Sequence, residues 1–286
     1  MKKVIAIICL IVLMTIGFGI VGYPFISNLL TNMNSNSEIQ TYLGSVSNLE
    51  SDDIDTMLRR AQEYNESLVG SVSLSDPFAE DINTDSEYYD LINMDGTSVM
   101  ATIEIPSIDI KYPIYHGTSD AVLQKGIGHL RNTSLPIGGK STHAVLSGHT
   151  GLSNAKFFTD IDKLEEGDMF YIYILNQTLA YRIEQINVVE PWDTSLLKIE
   201  PEEDYVTLVT CTPFGQNTHR LLVRGTRVPY VESEKDTQIS HLEESTWNQE
   251  YMSALIIGLS VMLGILIVFA LFKIVMRICR KRKNNE

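Results

Sequence analysis

The segment Thr207-Leu-Val-Thr-Cys211-Thr-Pro-Phe-Gly-Gln-Asn-Thr-His-Arg220 joins the end of one apolar stretch to the start of another. The residues before Cys211 are β-branched or apolar, as in a strand, and the proline, glycine and asparagine that follow favour a turn. If the two strands pair as a hairpin, Cys211 and Arg220 lie together at one end of a sheet. A guanidinium there would lower the pKa of the thiol and donate hydrogen bonds to an oxyanion. The alternative is an ordinary solvated arginine.

Cys211 is set apart from the other two cysteines of the chain. Cys9 and Cys279 lie in or beside apolar runs at the two ends, so Cys211 has no partner for a disulfide in the region between them. A free thiol in an exported region is often reactive, whereas a buried one behaves as a small inert hydrophobe. The residues around Cys211 must decide between a nucleophile and a packed side chain.

Two apolar runs place the rest of the chain relative to a membrane. Val4 to Val21 follows two lysines, and Ala254 to Phe272 contains no charge and precedes a basic tail. Each is close to the roughly 20 residues that cross a bilayer as a helix. The positive-inside rule predicts that both termini are cytoplasmic and that Tyr23 to Tyr251 is extracellular. A cleaved signal peptide is the alternative for the first run.

Charge is segregated in the same way. The chain has 36 acidic and 22 basic residues, for a net charge of −14, and nearly all the acids lie between the two apolar runs. This argues against a nucleic-acid partner, since phosphate binding requires clustered Lys and Arg.

The region between the runs changes texture twice. Asn34 to Gly70 has apolar residues at helical spacing, with Ser51 as a candidate N-cap. Ser71 to Thr97 is rich in Ser, Asp and Asn and is predicted to be a long loop. From Met100 onward the pattern predicts strands and a closed barrel, with a short helix at Ser119 to Gln124. The predicted strands are Met100 to Ile105, Ile108 to Tyr115, His143 to Ser147, Met169 to Leu175, Leu179 to Val189, Tyr205 to Cys211 and Arg220 to Val228.

A cysteine nucleophile needs a proton acceptor, and His149 is the best placed of the histidines. It ends an apolar strand in the glycine-flanked turn Ser147-Gly-His-Thr-Gly151. His143 lies within the strand and is expected to be packed or hydrogen-bonded, and His219 points to the face opposite Arg220. No pair of histidines or cysteines has the Cys-x-x-Cys or His-x-x-x-His spacing of metal ligands. The acidic run Glu200 to Asp204 is interpreted as a solvated loop rather than a calcium site. We therefore expect no cofactor and no metal.

These blocks together resemble the sortase family. Thr207-Leu-Val-Thr-Cys211 is similar to the Thr-Leu-x-Thr-Cys signature of sortases, Arg220 matches their catalytic arginine, and Leu146-Ser-Gly-His149 resembles the block that holds their catalytic histidine. The resemblance covers roughly Leu74 to Pro229. It implies a mainly β fold, an eight-stranded sortase barrel with short helices, an N-terminal helical region and flanking transmembrane helices.

The resemblance also implies an activity. Sortases are cysteine transpeptidases of Gram-positive surfaces that cut a sorting signal of the Leu-Pro-x-Thr-Gly type, hold the product as a thioacyl enzyme and pass it to an amine. Carried over, Cys211 attacks, His149 donates and accepts the proton, and Arg220 stabilises the oxyanion or positions the substrate.

The basic-tailed second span and Asp76-Pro77-Phe78 resemble the class C, pilus-assembling sortases. In that class a lid covers the cleft, so Asp76 would pair with Arg220 and Phe78 would shield Cys211, with a pilin lysine as the acceptor amine. Asp-Pro-Phe as a simple turn is the alternative. Two other functions stay open: a sortase that anchors surface proteins to peptidoglycan, and a membrane-anchored β-domain adhesin or assembly scaffold with an incidental thiol.

The expected organisation divides the chain into seven parts. They are an N-terminal anchor at 1–23, a helical membrane-proximal region at 24–70, a lid loop at 71–97, the catalytic barrel at 98–232, a linker at 233–251, a transmembrane helix at 252–273 and a basic cytoplasmic tail at 274–286.

Overall fold

A computed structural model of the chain describes residues 2–70, 74, 76, 78, 86–94, 98–232, 235 and 245–283. Five α-helices lie in these residues: α1 (Lys2–Ser47), α2 (Ser51–Leu68), α3 (Ser86–Asp90), α4 (Asp120–Leu123) and α5 (Thr246–Lys283). Pro77, from the predicted lid, falls outside the described residues.

Eight strands of the described chain close into a barrel in the order β1-β2-β3-β4-β7-β8-β6-β5. They are β1 (Val99–Ile105), β2 (Ile110–His116), β3 (Ile127–His129), β4 (Thr142–Ser147), β5 (Met169–Ile174), β6 (Gln177–Val189), β7 (Asp204–Thr212) and β8 (His219–Val228). The pairs β2/β3 and β4/β7 are parallel, and the other neighbours are antiparallel. The mainly β barrel expected from the sequence is thereby confirmed.

The barrel is held by one apolar core. Its inward side chains are fully buried, because successive residues of a strand point to opposite faces and the apolar ones turn inside. Representative members are Ile103, Ile114, Ile172, Leu208 and Val223. Burial of such side chains stabilises the fold by roughly 1.5–3 kcal/mol each.

Helix α1 docks on the outside of the barrel through three tyrosines. The hydroxyl of Tyr42 donates to Met100 O and accepts from Leu175 N, both at 2.8 Å, and so joins β1 to the end of β5. Tyr112 donates to Asn32 of the helix at 3.1 Å, and Tyr115 bonds Glu38. Because α1 continues without a break through Pro24 to Ser47, its barrel contacts and its apolar N-terminal part belong to one helix.

Helix α2 is fixed by a reciprocal pair of hydrogen bonds. Asn65 donates to Leu135 O at 3.1 Å and accepts from Leu135 N at 2.7 Å. The predicted N-cap is wrong by one residue: Glu50 occupies the cap and Ser51 begins the helix.

The loop predicted for residues 71–97 is interrupted by α3. Its Tyr88 is fully buried and bonds His129 Nδ1 at 2.8 Å, and His116 Nε2 lies 2.6 Å from Leu91 O just after the helix. Five residues are too few for a helical pattern to be read from sequence, so the anchoring comes from tertiary contacts.

Among the residues that the structure describes, two helices are long and apolar enough to cross a membrane, with candidate spans Val12–Ser47 and Gln249–Ile278. Most large apolar side chains of α5 and of the N-terminal part of α1 are exposed, and α1 contacts α5. Two long apolar helices indicate membrane anchoring.

Candidate active site

Cys211 and Arg220 face each other across the β7–β8 hairpin. They are directly paired in the antiparallel register, as the sequence predicts, and Cys211 is partly buried with a free thiol. The connecting turn is held by hydrogen bonds from Gln216 N and Asn217 N to Pro213 O, both 3.0 Å. The turn therefore fixes the two side chains at one rim of the barrel.

His149 reaches the same rim because β4 runs parallel to β7, and parallel neighbours end at the same edge of a sheet. The pairing continues one residue beyond β4, where Gly148 N donates to Val209 O at 3.1 Å and Thr210 Oγ1 donates to Gly148 O at 2.7 Å. A Cβ on Gly148 would lie 2.7 Å from the Phe158 ring, so only glycine fits before His149.

Asp76, from the predicted lid, forms a salt bridge with Arg220. Arg220 Nε donates to Asp76 Oδ1 at 2.9 Å and Nη2 donates to Oδ2 at 2.6 Å, a bidentate pair whose side chains are only 11% and 21% exposed. Phe78 N donates back to Asp76 Oδ1 at 3.2 Å, which closes a tight turn.

The Phe78 ring lies close to both Arg220 and His149. It is 5.1 Å from the Arg220 guanidinium and 5.8 Å from the His149 ring, centre to centre. Phe78 also packs, together with Leu74, on an apolar patch of the barrel wall. Leu74 and Phe78 pack there against Leu130, Val145, Leu197, Val209 and Leu222.

Burial sets the protonation of the site. It raises the pKa of the Cys211 thiol; Arg220 acts in the opposite direction, and Asp76 adds to the rise. The expectation that Arg220 lowers the thiol pKa is thus right for its own effect and outweighed by burial. Burial also lowers the pKa of His149, with Asp120 opposing it, and His149 Nε2 has no hydrogen-bond partner among the described residues. Burial therefore favours a neutral Cys211 thiol and a neutral His149 imidazole.

Two other histidines of the barrel, His143 and His219, have partners of their own. His143 is buried, with Nδ1 2.8 Å from Lys198 O and Nε2 2.7 Å from Thr207 Oγ1, as expected for a packed residue. His219 lies 3.6 Å from Glu190 at the surface. Each is held away from the thiol by its own partners.

Two residues of the acidic run Glu200 to Asp204 form a salt bridge or hydrogen bonds with the barrel. Glu202 pairs with Lys140 at 2.6 Å, and Asp204 accepts from Gly139 N at 2.8 Å and Tyr181 at 3.0 Å. Within the described part of the chain, no group of three His, Cys, Asp or Glu side chains is arranged to hold a metal.

Sequence reasoning did not find the residues that support the site. Leu74 extends the lid contact, Asp120 acts on His149 through space, and Phe158 N donates to His149 O at 3.1 Å. No local pattern marks them, because each acts on a residue distant in sequence or through its backbone.

Comparison with known proteins gives the class. A sortase-domain profile matches residues 103–228. Sortase D of Bacillus subtilis is 32% identical over 129 residues, 44% of this chain and 62% of that protein, so the chain spans about three fifths of this curated relative. With the closed barrel and the grouped cysteine, histidine and arginine, these matches and the solved structures described next place the chain in the sortase family, the cysteine transpeptidases.

Within that family, the solved structures it is similar to are class C pilus sortases. The crystal structure of Streptococcus pneumoniae sortase C is 42% identical, with a TM-score of 0.63, over 68% of this chain and 97% of that one. Sortase C-1 of Actinomyces oris is 47% identical, with a TM-score of 0.58, over 62% and 99%.

Proposed function

We propose that this protein cleaves a Leu-Pro-x-Thr-Gly-like sorting signal and transfers the cleaved polypeptide to an amine through a thioester on Cys211. The observation that carries the proposal is the convergence of Cys211, His149 and Arg220 at one rim of the barrel, with Phe78 close to His149 and Arg220. A thiol, a proton carrier and an oxyanion donor are the parts that acyl transfer requires.

The steps follow from these groups. Cys211 gives its proton to His149, and its sulfur attacks the carbonyl carbon of the substrate threonine. Arg220 donates to the oxyanion of the tetrahedral intermediate. The C–N bond to glycine breaks as His149 protonates the leaving amine, which leaves a thioester. An acceptor amine then attacks the thioester carbonyl and His149 takes the proton of that amine. The C–S bond breaks as the new amide forms, and His149 returns the proton to the released Cys211 thiolate.

Entry to this cycle requires the lid segment to move. Asp76 occupies Nε and Nη2 of Arg220, and Nη1 donates to the carbonyls of Asn217 and His219, so the guanidinium is unavailable to an oxyanion while this pair is formed. Phe78 occupies the space between Arg220 and His149 where a substrate would lie. Lid opening frees Arg220 and exposes Cys211 in one movement.

We further propose that the barrel is extracellular and that both termini are cytoplasmic. Lys2 and Lys3 precede the first apolar run, and the basic residues of the tail follow the second. The anchor, lid, barrel, linker and tail boundaries expected from the sequence are retained as part of this proposal.

The acceptor is proposed to be a pilin lysine, which would make the enzyme a pilus polymerase. The support is the pairing of Asp76 with Arg220 and the likeness to class C structures, among them the pneumococcal sortase C, which is described in terms of pilin substrate specificity. A peptidoglycan-anchoring sortase would use the same three side chains, so the acceptor decides between them. Membership in an enzyme family argues against the adhesin or scaffold.

A competition assay tests the acceptor. The full chain in detergent, carrying Asp76→Ala to open the lid, is given a labelled Leu-Pro-x-Thr-Gly peptide with equal amounts of a lysine-bearing peptide and a cell-wall cross-bridge peptide. We expect label on the lysine side chain. Label mainly on the cross-bridge amine would favour wall anchoring, and equal label in a Cys211→Ala control would contradict the thioester mechanism.

A further inference from the structure

The start of helix α5 is fastened to the barrel by a buried aspartate. Asp160 is 2% exposed and lies in the segment between β4 and β5. Its Oδ1 accepts from Thr246 N at 2.8 Å, and its Oδ2 accepts from Ser245 Oγ at 2.5 Å. Ser245 is the residue before the helix, and its carbonyl accepts the first helical bond, from Gln249 N at 2.9 Å. The cap of this helix therefore comes from a residue 86 positions away.

The two residues before Asp160 hold the turn that carries His149. Phe158 N donates to His149 O at 3.1 Å, and the Phe158 ring fills the space above Gly148. The hydroxyl of Thr159 accepts from Gly151 N at 3.1 Å. The bonds from Phe158 and Thr159 secure the His149 turn on both sides of the histidine.

Phe158, Thr159 and Asp160 thus form a three-residue bridge. Two members bond the backbone around His149 and the third bonds the first turn of α5. The candidate membrane span begins at Gln249, only three residues after Thr246, so the bridge lies where the chain enters the membrane. A shift of this helix end is transmitted to the histidine over one short, hydrogen-bonded segment.

We propose that Asp160 is a positioning residue, which ties the C-terminal membrane helix to the His149 turn and so sets the rate of the steps that use His149. This inference rests on the proposed function, since it assigns a rate to His149. Asp160 itself does not touch the substrate.

The test uses the full chain in lipid nanodiscs, with Asp76→Ala throughout so that lid opening does not limit the rate. Asp160→Ala removes both bonds to the helix, and Asp162→Ala, an exposed aspartate two residues on, is the matched control. We expect Asp160→Ala to lower kcat by about tenfold, with KM within about twofold, since misplacement of a catalytic group affects chemistry more than binding. Asp162→Ala should stay within about twofold.

Hydrogen exchange gives a readout that does not depend on activity. In Asp160→Ala, the amides of Phe158 and Gly151 should exchange at least about tenfold faster than in the Asp162→Ala control, together with those of the first turn of α5. Faster exchange confined to residues 246–251, with kcat unchanged, would show that Asp160 only caps the helix and would overturn the proposal.

Ser245→Ala keeps the test decisive if Asp160→Ala does not fold. This substitution removes the hydrogen bond from Ser245 Oγ to Asp160 without changing a residue of the barrel. It should lower kcat and speed amide exchange at the same positions by about threefold, and Ser245→Thr should restore kcat. Wild-type exchange and kcat in Ser245→Ala would also refute the proposal. If the Asp76→Ala parent makes no product at all, the proposed function fails, while the exchange data still decide whether the bridge couples helix and turn.

Discussion

Removing Asp76 should expose Cys211 to small reagents, and the size of the effect follows from the contacts that close the lid. Asp76 and Arg220 make two charge-assisted hydrogen bonds, at 2.9 and 2.6 Å, with both side chains largely buried. Hydrogen bonds to charged groups contribute about 1.5–3 kcal/mol each, and opening returns both ions to water. We therefore assign about 1.5–3 kcal/mol to the pair as a whole.

That free energy converts directly into a rate. Because every 1.4 kcal/mol is about a tenfold change in an equilibrium, Asp76→Ala should raise the open fraction by about tenfold to a hundredfold. Alkylation of the thiol rises in proportion while the lid is mostly closed. Loss of the Asp76 charge also lowers the Cys211 pKa, which acts in the same direction by increasing the thiolate.

The assay is alkylation by iodoacetamide at pH 7.5, with the full chain in detergent. Because Cys9 and Cys279 also carry thiols, modification is followed on the peptide that contains Cys211. Phe78→Ala should accelerate the reaction as well, since it removes the ring between Arg220 and His149. Asp55→Ala, an exposed aspartate on α2, is the control. A rate for Asp76→Ala within about twofold of the unmodified chain would refute a closed lid held by this pair.

Three further predictions concern the supports of the site. Gly148→Ala should lower the free energy of unfolding by about 1–3 kcal/mol, because its Cβ would meet the Phe158 ring at 2.7 Å; an unchanged denaturation curve would contradict this. Burial holds the pKa of His143 at about 4 and that of His129 at about 3, below the 6.5 of an exposed histidine. The unfolded chain therefore binds more protons than the folded chain below pH 6.5. The free energy of unfolding present above that pH should fall towards pH 4 by up to about 2.7 kcal/mol per pH unit. Urea denaturation followed by circular dichroism at pH 7 and pH 5 measures this loss, and equal midpoints would refute it. Tyr42→Phe removes the hydroxyl that joins β1 to β5 and should cost about 1–3 kcal/mol, and a chain as stable as the original would show that α1 is not held there.

The strands were predictable because their residues are β-branched and apolar between clear turn signals. The exception is β3, which has only three residues, one of them Gly128, and is therefore too short to show an alternating pattern. Helix α3 was missed for the same reason, since five residues held by Tyr88 have no period of their own. Short elements are specified by what they pack against, and one sequence does not show that.

Part of the candidate site could be predicted from the sequence. Pairing of Cys211 with Arg220 follows from a hairpin, which is a local pattern. The contact between Asp76 and Arg220 spans 144 positions and was expected only through the family resemblance. The pKa of Cys211 could not be predicted from its neighbours in the chain, because burial in the folded protein outweighs the nearby arginine.

The central claim is that Cys211 forms a thioester with a sorting signal. The most direct measurement is intact-mass spectrometry of the Asp76→Ala, Phe78→Ala chain after incubation with a Leu-Pro-x-Thr-Gly peptide and no added amine. We expect a mass increase equal to the acyl fragment that ends at threonine, and we expect it to be lost in Cys211→Ala. An adduct that persists without Cys211, or no adduct on a chain whose Cys211 alkylates readily, would contradict it.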